Sequence, residues 1–294
     1  MSFLYFLEQL RFPAADLFFQ CITYLGQELL VIAIICWLYW CSDKKLAYTL
    51  GFSYFLSGLL VQGLKITFRI PRPWILDPEF HVVPSALADA TGYSFPSGHT
   101  QSITALLGTF AFCLKKKYVK PLCFAGIFLV GFSRMYLGCH TPKDVLTAFL
   151  ISLAAAWICS NLFYQKERDS QKEALLSVTM ILICALLGIY ALYLNRIQII
   201  DTEYALDCLK ASGAGVGFAT GYYIEKKYIR FDPPVGTAKK SIRLIVGLLV
   251  ALLIKTGLKL LLGSGLFPAF FSYFVTVCWI LFLYPLLFTR KRIL

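Results

Sequence analysis

Residues 133–163 read SRMYLGCHTPKDVLTAFLISLAAAWICSNLF, a polar cluster that leads directly into a long apolar run. After Asp144 no charged residue occurs up to Phe163. The hydrocarbon core of a bilayer is ~30 Å thick and requires roughly 20 apolar residues as a helix. The stretch therefore predicts a transmembrane helix with Arg134, His140 and Asp144 at its entrance.

Apolar runs of similar length recur along the whole chain. Hydrophobic residues make up 59% of the sequence and charged residues 15%, against about 25% charged in an average soluble domain. We predict an all-α integral membrane protein, a polytopic helical bundle of about nine spans. The predicted spans are 26–41, 47–66, 98–114, 121–138, 144–163, 175–194, 208–224, 243–262 and 268–288.

The positive charge of the chain alternates between its loops. There are 28 basic and 16 acidic residues, and the net charge is +12. Lysine and arginine concentrate in 42–46, 115–120, 165–173, 225–241 and the C-terminus, and the loops between these carry few. Lysine-rich loops mark the cytoplasmic side, so the loops between them are predicted to face outward. The charge is thus explained by topology, and we expect no nucleic-acid partner.

Three polar clusters lie at this predicted outer face. They are Lys65–Pro73 after the second span, Pro96–His99 before the third, and Ser133–Asp144 between the fourth and fifth. Because the topology brings them to one side of the membrane, we expect them to form one site.

The cations of these clusters favour an anionic ligand. Lys65, Arg72 and Arg134 are costly near a membrane unless a negative charge compensates them. A guanidinium group can donate two parallel hydrogen bonds to the oxygens of one phosphate. Ser97 and Gly98 precede an apolar helix, whose free N–H groups also bind anions.

Two histidines and a carboxylate add the groups that phosphoryl transfer requires. Asp144 follows His140 by four residues and can fix the tautomer of its ring, which leaves the other nitrogen free to attack. His99 is then the general acid for the leaving oxygen. No cluster of carboxylates remains to bind a metal, so we expect neither a metal nor another cofactor.

The patterns K-x6-R-P, P-S-G-H and S-R-x5-H-x3-D together resemble the signature of the type 2 phosphatidic acid phosphatase (PAP2), or lipid phosphate phosphatase, superfamily. All its positions are present here: Lys65, Arg72, Pro73, Pro96, Ser97, Gly98, His99, Ser133, Arg134, His140 and Asp144. The resemblance implies that His140 forms a phosphohistidine and that His99 protonates the leaving group. It also implies that Lys65, Arg72, Ser97, Gly98 and Arg134 bind the phosphate.

The predicted spans and the resemblance together divide the chain into three regions. Residues 1–24 are predicted to be an interfacial amphipathic segment, with a membrane-crossing helix as the alternative. Residues 25–163 are predicted to be a PAP2-like catalytic membrane core, and residues 164–294 an additional four-helix membrane region. Beyond the core, the chain is similar to the longer branches of the superfamily in length and topology only.

The expected function is metal-independent hydrolysis of a lipid phosphate monoester or diphosphate at the plasma membrane, with the active site on the extracytoplasmic side. The candidate substrates are undecaprenyl diphosphate, phosphatidate, phosphatidylglycerophosphate and a sphingoid-base phosphate. Membrane lipids are the other expected contacts, and no protein partner is predicted. Two alternatives remain: a non-catalytic or transport protein for phosphorylated lipid carriers, and a vanadate-dependent haloperoxidase.

Overall fold

The computed structural model describes residues 1–88, 90–164, 170–233 and 236–289. The described residues form helices joined by loops, the longest of which connects α5 to α6, and they contain no β-strand. The α-helices are α1 Ser2–Gln9, α2 Pro13–Thr23, α3 Glu28–Cys41, α4 Lys44–Phe68, α5 Pro73–Leu76, α6 Gly98–Cys113, α7 Val119–Tyr136, α8 Pro142–Cys159, α9 Ser170–Arg196, α10 Thr202–Ile224, α11 Thr237–Leu262, α12 Leu266–Cys278 and α13 Tyr284–Thr289. Lys166 and Arg168, which contributed to the predicted cytoplasmic charge, and the basic residues 290–292 lie outside the described residues.

The chain forms two compact units. Unit 1 consists of Met1–Ile32 and Phe52–Gln165, and unit 2 of Ala33–Gly51 and Lys166–Leu294. The unit boundaries therefore fall within α3 and α4.

Helix α6 is the centre of unit 1 and packs against both α7 and α8. It is buried along most of its length, including polar positions such as Thr104 and Thr109. Small residues permit the close packing of membrane helices. A Cβ atom at Gly131 of α7 would lie 2.9 Å from Val145 of α8, and one at Gly108 would lie 3.3 Å from Ala156.

The starts of α6 and α8 explain why polar side chains gather there. Ser97 caps α6, with its Oγ accepting a hydrogen bond from Thr100 N. Thr141 caps α8 in a reciprocal capping box with Asp144, and Pro142 occupies the first turn. Both arrangements satisfy N–H groups that have no partner within the helix.

Residues 74–88 and 90–95 fold over the loop that follows α7. Val83, Ala86 and Ala90 pack against Tyr136, Leu137 and Cys139, and Val83 N donates a hydrogen bond to Leu137 O at 3.1 Å. This apolar cluster covers the loop that carries His140.

Helix α10 is the centre of unit 2 and packs against α9 and α12. The glycines of α10 allow it to pack closely against α12, since a Cβ atom at Gly213 would lie 2.2 Å from Phe270 O of α12. The part of α3 and α4 in this unit adds buried polar contacts. Glu225, which is fully buried, accepts hydrogen bonds from Lys44 and Tyr48.

Five helical segments are long and apolar enough to cross a membrane: Val119–Tyr136, Pro142–Tyr164, Gln171–Arg196, Ala238–Leu262 and Leu266–Leu287. A sixth results if Pro13–Gly26 and Glu28–Cys41, which meet at a 44° bend, count as one span. The all-helical membrane fold is confirmed, but the count of about nine spans is not. Helices α3 and α6 have only 14 and 16 residues, while α4 and α10 include several charged side chains.

Candidate active site

All eight residues predicted for the site belong to unit 1, at helix ends or in adjoining loops. Lys65 lies in the last turn of α4 and Arg134 in the last turn of α7. The first turns of α6 and α8 supply Ser97, Gly98, His99 and Asp144, and Arg72 and His140 lie in loops. Lys65, Arg72, Arg134 and His140 all lie close enough to His99 to act electrostatically on its ring. The structure therefore brings the three sequence clusters together.

His140 is buried, with 1% of its surface exposed, and it lies against a buried arginine. Arg72 Nη1 donates to His140 Nε2 at 2.9 Å and to Cys139 O at 3.1 Å. The guanidinium is fixed further by bonds from Nε to Gly92 O at 3.0 Å and from Nη2 to Thr91 O at 2.6 Å. Because a guanidinium can only donate, Nε2 must accept, and the proton of the neutral ring is on Nδ1.

The protonated nitrogen of His140 faces Asp144. The distance from Nδ1 to Oδ2 is 3.6 Å, which is too long for a strong hydrogen bond. Ser94 lies beside both groups, since its Oγ donates to Asp144 Oδ2 at 2.7 Å and lies 3.5 Å from His140 Nδ1. Thr141 N also donates to Oδ2, at 2.8 Å. The carboxylate is thus held by Ser94 and the start of α8 in a position to orient the ring.

His140 remains neutral in this environment. Burial of the ring, followed by the neighbouring Arg72 cation, lowers the pKa of His140 well below its ordinary value of 6.5. A neutral imidazole with its proton on Nδ1 has a lone pair on Nε2, which is the form that a nucleophile requires.

Arg134 and His99 present hydrogen-bonding atoms without partners among the residues that the structure describes. Arg134 is fully buried, and its Nε and Nη2 atoms have no hydrogen-bond partner in the ranges that the structure describes. The Nε2 atom of His99 is likewise buried and unpaired. A buried charge without a partner is strongly unfavourable, so this arrangement is suited to an anion that accepts from both side chains.

The start of α6 adds a further contact surface for an anion. A Cβ atom at Gly98 would lie 4.0 Å from Lys65 Nζ, so the ammonium group of the lysine lies beside the start of α6. The first N–H groups of a helix have no intrahelical partner and favour anions. Ser97 contributes less through its backbone, because Ser97 N already donates to Asp144 O at 3.1 Å.

The structure adds two hydroxyl residues that the sequence did not indicate. Ser94 holds Asp144, and Thr23 Oγ1 accepts from Arg134 Nη1 at 2.9 Å. Both are fully or almost fully buried. Within the described part of the chain, no group of three or more histidine, cysteine, aspartate or glutamate residues could hold a metal ion.

Comparisons with known proteins identify the family. Residues 46–168 match the PAP2 superfamily, and residues 209–293 match the transmembrane extension of PAP2 superfamily phosphatases. Sphingosine-1-phosphate phosphatase 1 of Rattus norvegicus is 25% identical over 257 residues, which cover 81% of this chain and 58% of that protein. Undecaprenyl-diphosphatase BcrC of Bacillus subtilis (strain 168) is 31% identical over 104 residues, 35% of this chain and 51% of that protein.

Two further relatives match about half of the chain or less. Phosphatidylglycerophosphatase B of Bacillus subtilis (strain 168) is 31% identical over 129 residues, 40% of this chain and 62% of that protein. The crystal structure of Aquifex aeolicus LpxE covers 54% of this chain and 93% of that chain, with 28% identity and a TM-score of 0.46. The chain spans about half the length of the curated relatives it matches. It belongs to the PAP2 superfamily, with the transmembrane extension of that superfamily's phosphatases in its C-terminal part.

Proposed function

We propose that this protein is a membrane phosphatase that hydrolyses a lipid phosphate monoester or diphosphate through a phosphohistidine on His140. One observation carries the proposal: the unpaired, buried hydrogen-bonding atoms of Arg134 and His99 lie near a neutral His140 whose Nε2 lone pair faces Arg72. A phosphate group in this position is the ligand that satisfies all of them.

In the first half of the reaction, His140 Nε2 attacks phosphorus and the bond to the leaving oxygen breaks. Arg72 exchanges its hydrogen bond to Nε2 for one to a phosphate oxygen, which frees the lone pair. Arg134, Lys65 and the first N–H groups of α6 stabilise the charge on the phosphoryl oxygens. His99 transfers a proton to the leaving oxygen, so the lipid leaves as a neutral alcohol or as a monophosphate.

In the second half, water attacks the phosphohistidine. His99, now neutral, accepts the proton of this water, and the N–P bond breaks to release inorganic phosphate. The Asp144 carboxylate stabilises the positive charge on the His140 ring between the two steps. Every group in this cycle comes from the chain itself, and the cations that bind phosphate are side chains. We therefore propose that hydrolysis requires no metal ion.

The relatives indicate which candidate substrate to test first. The named activities of the matched proteins all concern phosphorylated lipids: sphingosine 1-phosphate, undecaprenyl diphosphate and phosphatidylglycerophosphate. Sphingosine-1-phosphate phosphatase 1 is matched over 81% of this chain, which takes the similarity beyond the residues that carry the site. A sphingoid-base phosphate is therefore the first candidate, and the other three lipids named above remain in the test.

We also propose that the protein lies in the plasma membrane with its site facing outward, and the charge pattern of the loops supports this orientation. The described loops with several lysines, such as 115–120, alternate with those that carry the site, and segment 74–95 has neither lysine nor arginine. Short loops follow the positive-inside rule well.

The test is phosphate release by the purified full-length protein from a panel of the four lipids in mixed micelles. We expect release from at least one lipid by the wild type, and none by His140→Ala. Trapping a phosphoenzyme that is labile to acid and stable to alkali would support the histidine intermediate. If no lipid is hydrolysed but one is bound, a non-catalytic or transport role for phosphorylated lipids replaces the proposal.

A further inference from the structure

The N-terminal segment reaches the phosphate-binding arginine through one buried hydroxyl. Thr23, the last residue of α2, is fully buried, and its Oγ1 accepts from Arg134 Nη1 at 2.9 Å. The two residues are 111 positions apart in the chain. Of the three guanidinium nitrogens, only Nη1 has a partner among the described residues, and Nε and Nη2 are buried without one. The bond to Thr23 therefore determines which way the other two N–H-bearing atoms point.

The turn after Thr23 packs against His99, the proposed general acid. Tyr24–Gly26 forms a short 3-10 turn that packs on α6. A Cβ atom at Gly26 would lie 2.8 Å from His99 O, 3.1 Å from His99 Cβ and 3.0 Å from Val130 Cγ1. Only a residue without a side chain allows the turn this close to α6 and α7.

Further contacts fix the same segment to the end of α7. Arg11 Nε donates to Tyr136 O at 2.9 Å, and Tyr136 Oη donates to Asp16 Oδ1 at 3.1 Å. The ring of Phe19 lies 4.2 Å from that of Tyr136. Tyr136 is two residues beyond Arg134, so α2 is attached to the turn of α7 that carries the arginine.

We propose that Thr23 is a positioning residue of the active site: it fixes the Arg134 guanidinium so that Nε and Nη2 face the phosphate. This inference rests on the proposed function for its role in turnover, but its effect on anion binding can be measured separately. The N-terminal segment then contributes directly to the phosphate site in addition to any contact with the bilayer.

The variant that tests the proposal is Thr23→Val, which keeps the shape of the side chain and removes the hydroxyl. Thr23→Ser restores the hydroxyl. Thr104→Val is the matched control, because Thr104 is also a fully buried threonine of unit 1 and its Oγ1 has no hydrogen-bond partner in the described part of the chain.

We expect Thr23→Val to raise KM and the inhibition constant of orthovanadate together, on the order of tenfold, since a hydrogen bond to a charged group is lost. The kcat value should change much less, because His140, Asp144 and His99 keep their contacts. Thr23→Ser should recover most of the loss, and Thr104→Val should match the wild type. Misfolding of a fraction of the molecules would instead lower kcat and leave KM unchanged.

A double-mutant cycle separates positioning from a general structural role. Orthovanadate binding to the full-length protein, measured by the shift of its thermal unfolding, needs no turnover. If Thr23 acts through Arg134, Thr23→Val should weaken binding in the wild type and have no further effect in Arg134→Ala.

The possible outcomes distinguish a failure of the positioning role from a failure of the proposed function. Equal effects of Thr23→Val in both backgrounds, or unchanged KM and vanadate affinity, would overturn the positioning role. A wild type that binds vanadate but hydrolyses no lipid would overturn the phosphatase proposal and leave the positioning role intact if the cycle shows coupling. A wild type that binds no vanadate would overturn both.

Discussion

Replacing Asp144 by asparagine separates the charge of this carboxylate from its hydrogen bonds. Ser94 Oγ at 2.7 Å, Thr141 N at 2.8 Å and His140 Nδ1 at 3.6 Å all meet at the same oxygen, Oδ2. An asparagine with its amide oxygen in that place still accepts from Ser94 and Thr141. It therefore keeps the start of α8 and the tautomer of His140, but it removes the negative charge beside the ring.

The size of the effect follows from the 3.6 Å separation of Asp144 and His140. The ring becomes cationic when Nε2 takes the phosphoryl group and Nδ1 keeps its proton. Two unit charges at this distance interact by about 4–5 kcal/mol at an effective dielectric constant of about 20. Because about 1.4 kcal/mol corresponds to a factor of ten, we expect phosphoenzyme formation to slow by about 10³-fold.

The measurement is rapid quenching of the phosphoenzyme formed from a radiolabelled substrate, together with the thermal unfolding of each variant. Asp144→Ala is the comparison, because it removes the acceptor as well as the charge and should destabilise the protein by about 1–3 kcal/mol. Asp144→Asn should unfold close to the wild-type temperature. A rate within tenfold of the wild type, or equal destabilisation by the two variants, would refute the reasoning.

Four further predictions concern the site and its orientation. Activity should persist in EDTA and be inhibited by orthovanadate, and activity lost to the chelator and restored by Mg²⁺ would contradict side-chain cations as the phosphate ligands. His99→Ala should slow hydrolysis of a lipid phosphate far more than that of an aryl phosphate, whose leaving group needs no proton, and equal losses would argue against His99 as the general acid. The pKa of His140 is lowered, so protonation of the nucleophile should reduce kcat/KM only below pH 6.5, after correction for the substrate's own second pKa near ~6; an inactivating protonation of the nucleophile above 6.5 would be inconsistent with a buried neutral ring. In a background without other thiols, Ala88→Cys on the exposed side of segment 74–95 should react with an impermeant maleimide in intact cells, and Lys117→Cys only after lysis; the reverse pattern would place the site in the cytoplasm.

The ionisable residues of the candidate site could be predicted because each conflicts with its apolar surroundings. Arg134 and His140 lie between two apolar runs, and an ionisable side chain in such a place is a candidate for a functional role. The spacing of His140 and Asp144 also fits one helical turn, and the structure has Asp144 in the first turn of α8.

The hydroxyl residues could not be predicted in this way. Serine and threonine are common in membrane helices, so Ser94 and Thr23 do not stand out from their neighbours. Their partners, Asp144 and Arg134, are 50 and 111 residues away, and no local periodicity links them. We infer a role for Thr23 from the packing of α2 on α7 and from its hydrogen bond with Arg134, neither of which the sequence reveals.

The count of about nine spans predicted from the sequence differs from the five or six apolar spans among the residues that the structure describes for a related reason. The sequence rule assumes that each crossing helix is about 20 residues long and apolar throughout. Helix α6 has 16 residues, and its first turn is occupied by the polar groups of the site. A helix that is buried along most of its length and begins at a functional site does not need the composition of one that faces lipid.

The discontinuity of unit 2 has a consequence for how this protein can be divided or shortened. Residues 33–51 belong to the same unit as the C-terminal helices, with Trp40 Nε1 donating to Ile280 O at 3.0 Å and Tyr39 Oη to Leu281 O at 2.6 Å. The family match begins at residue 46, which lies inside α4, after Tyr39 and Trp40 and before the predicted site residues. A stop codon after Tyr164 would therefore leave the indole of Trp40, the phenol of Tyr39 and the ammonium group of Lys44 without the partners that bury them. The C-terminal helices therefore cannot be removed cleanly by a single truncation, and a shortened protein would need a redesigned surface on α3 and α4.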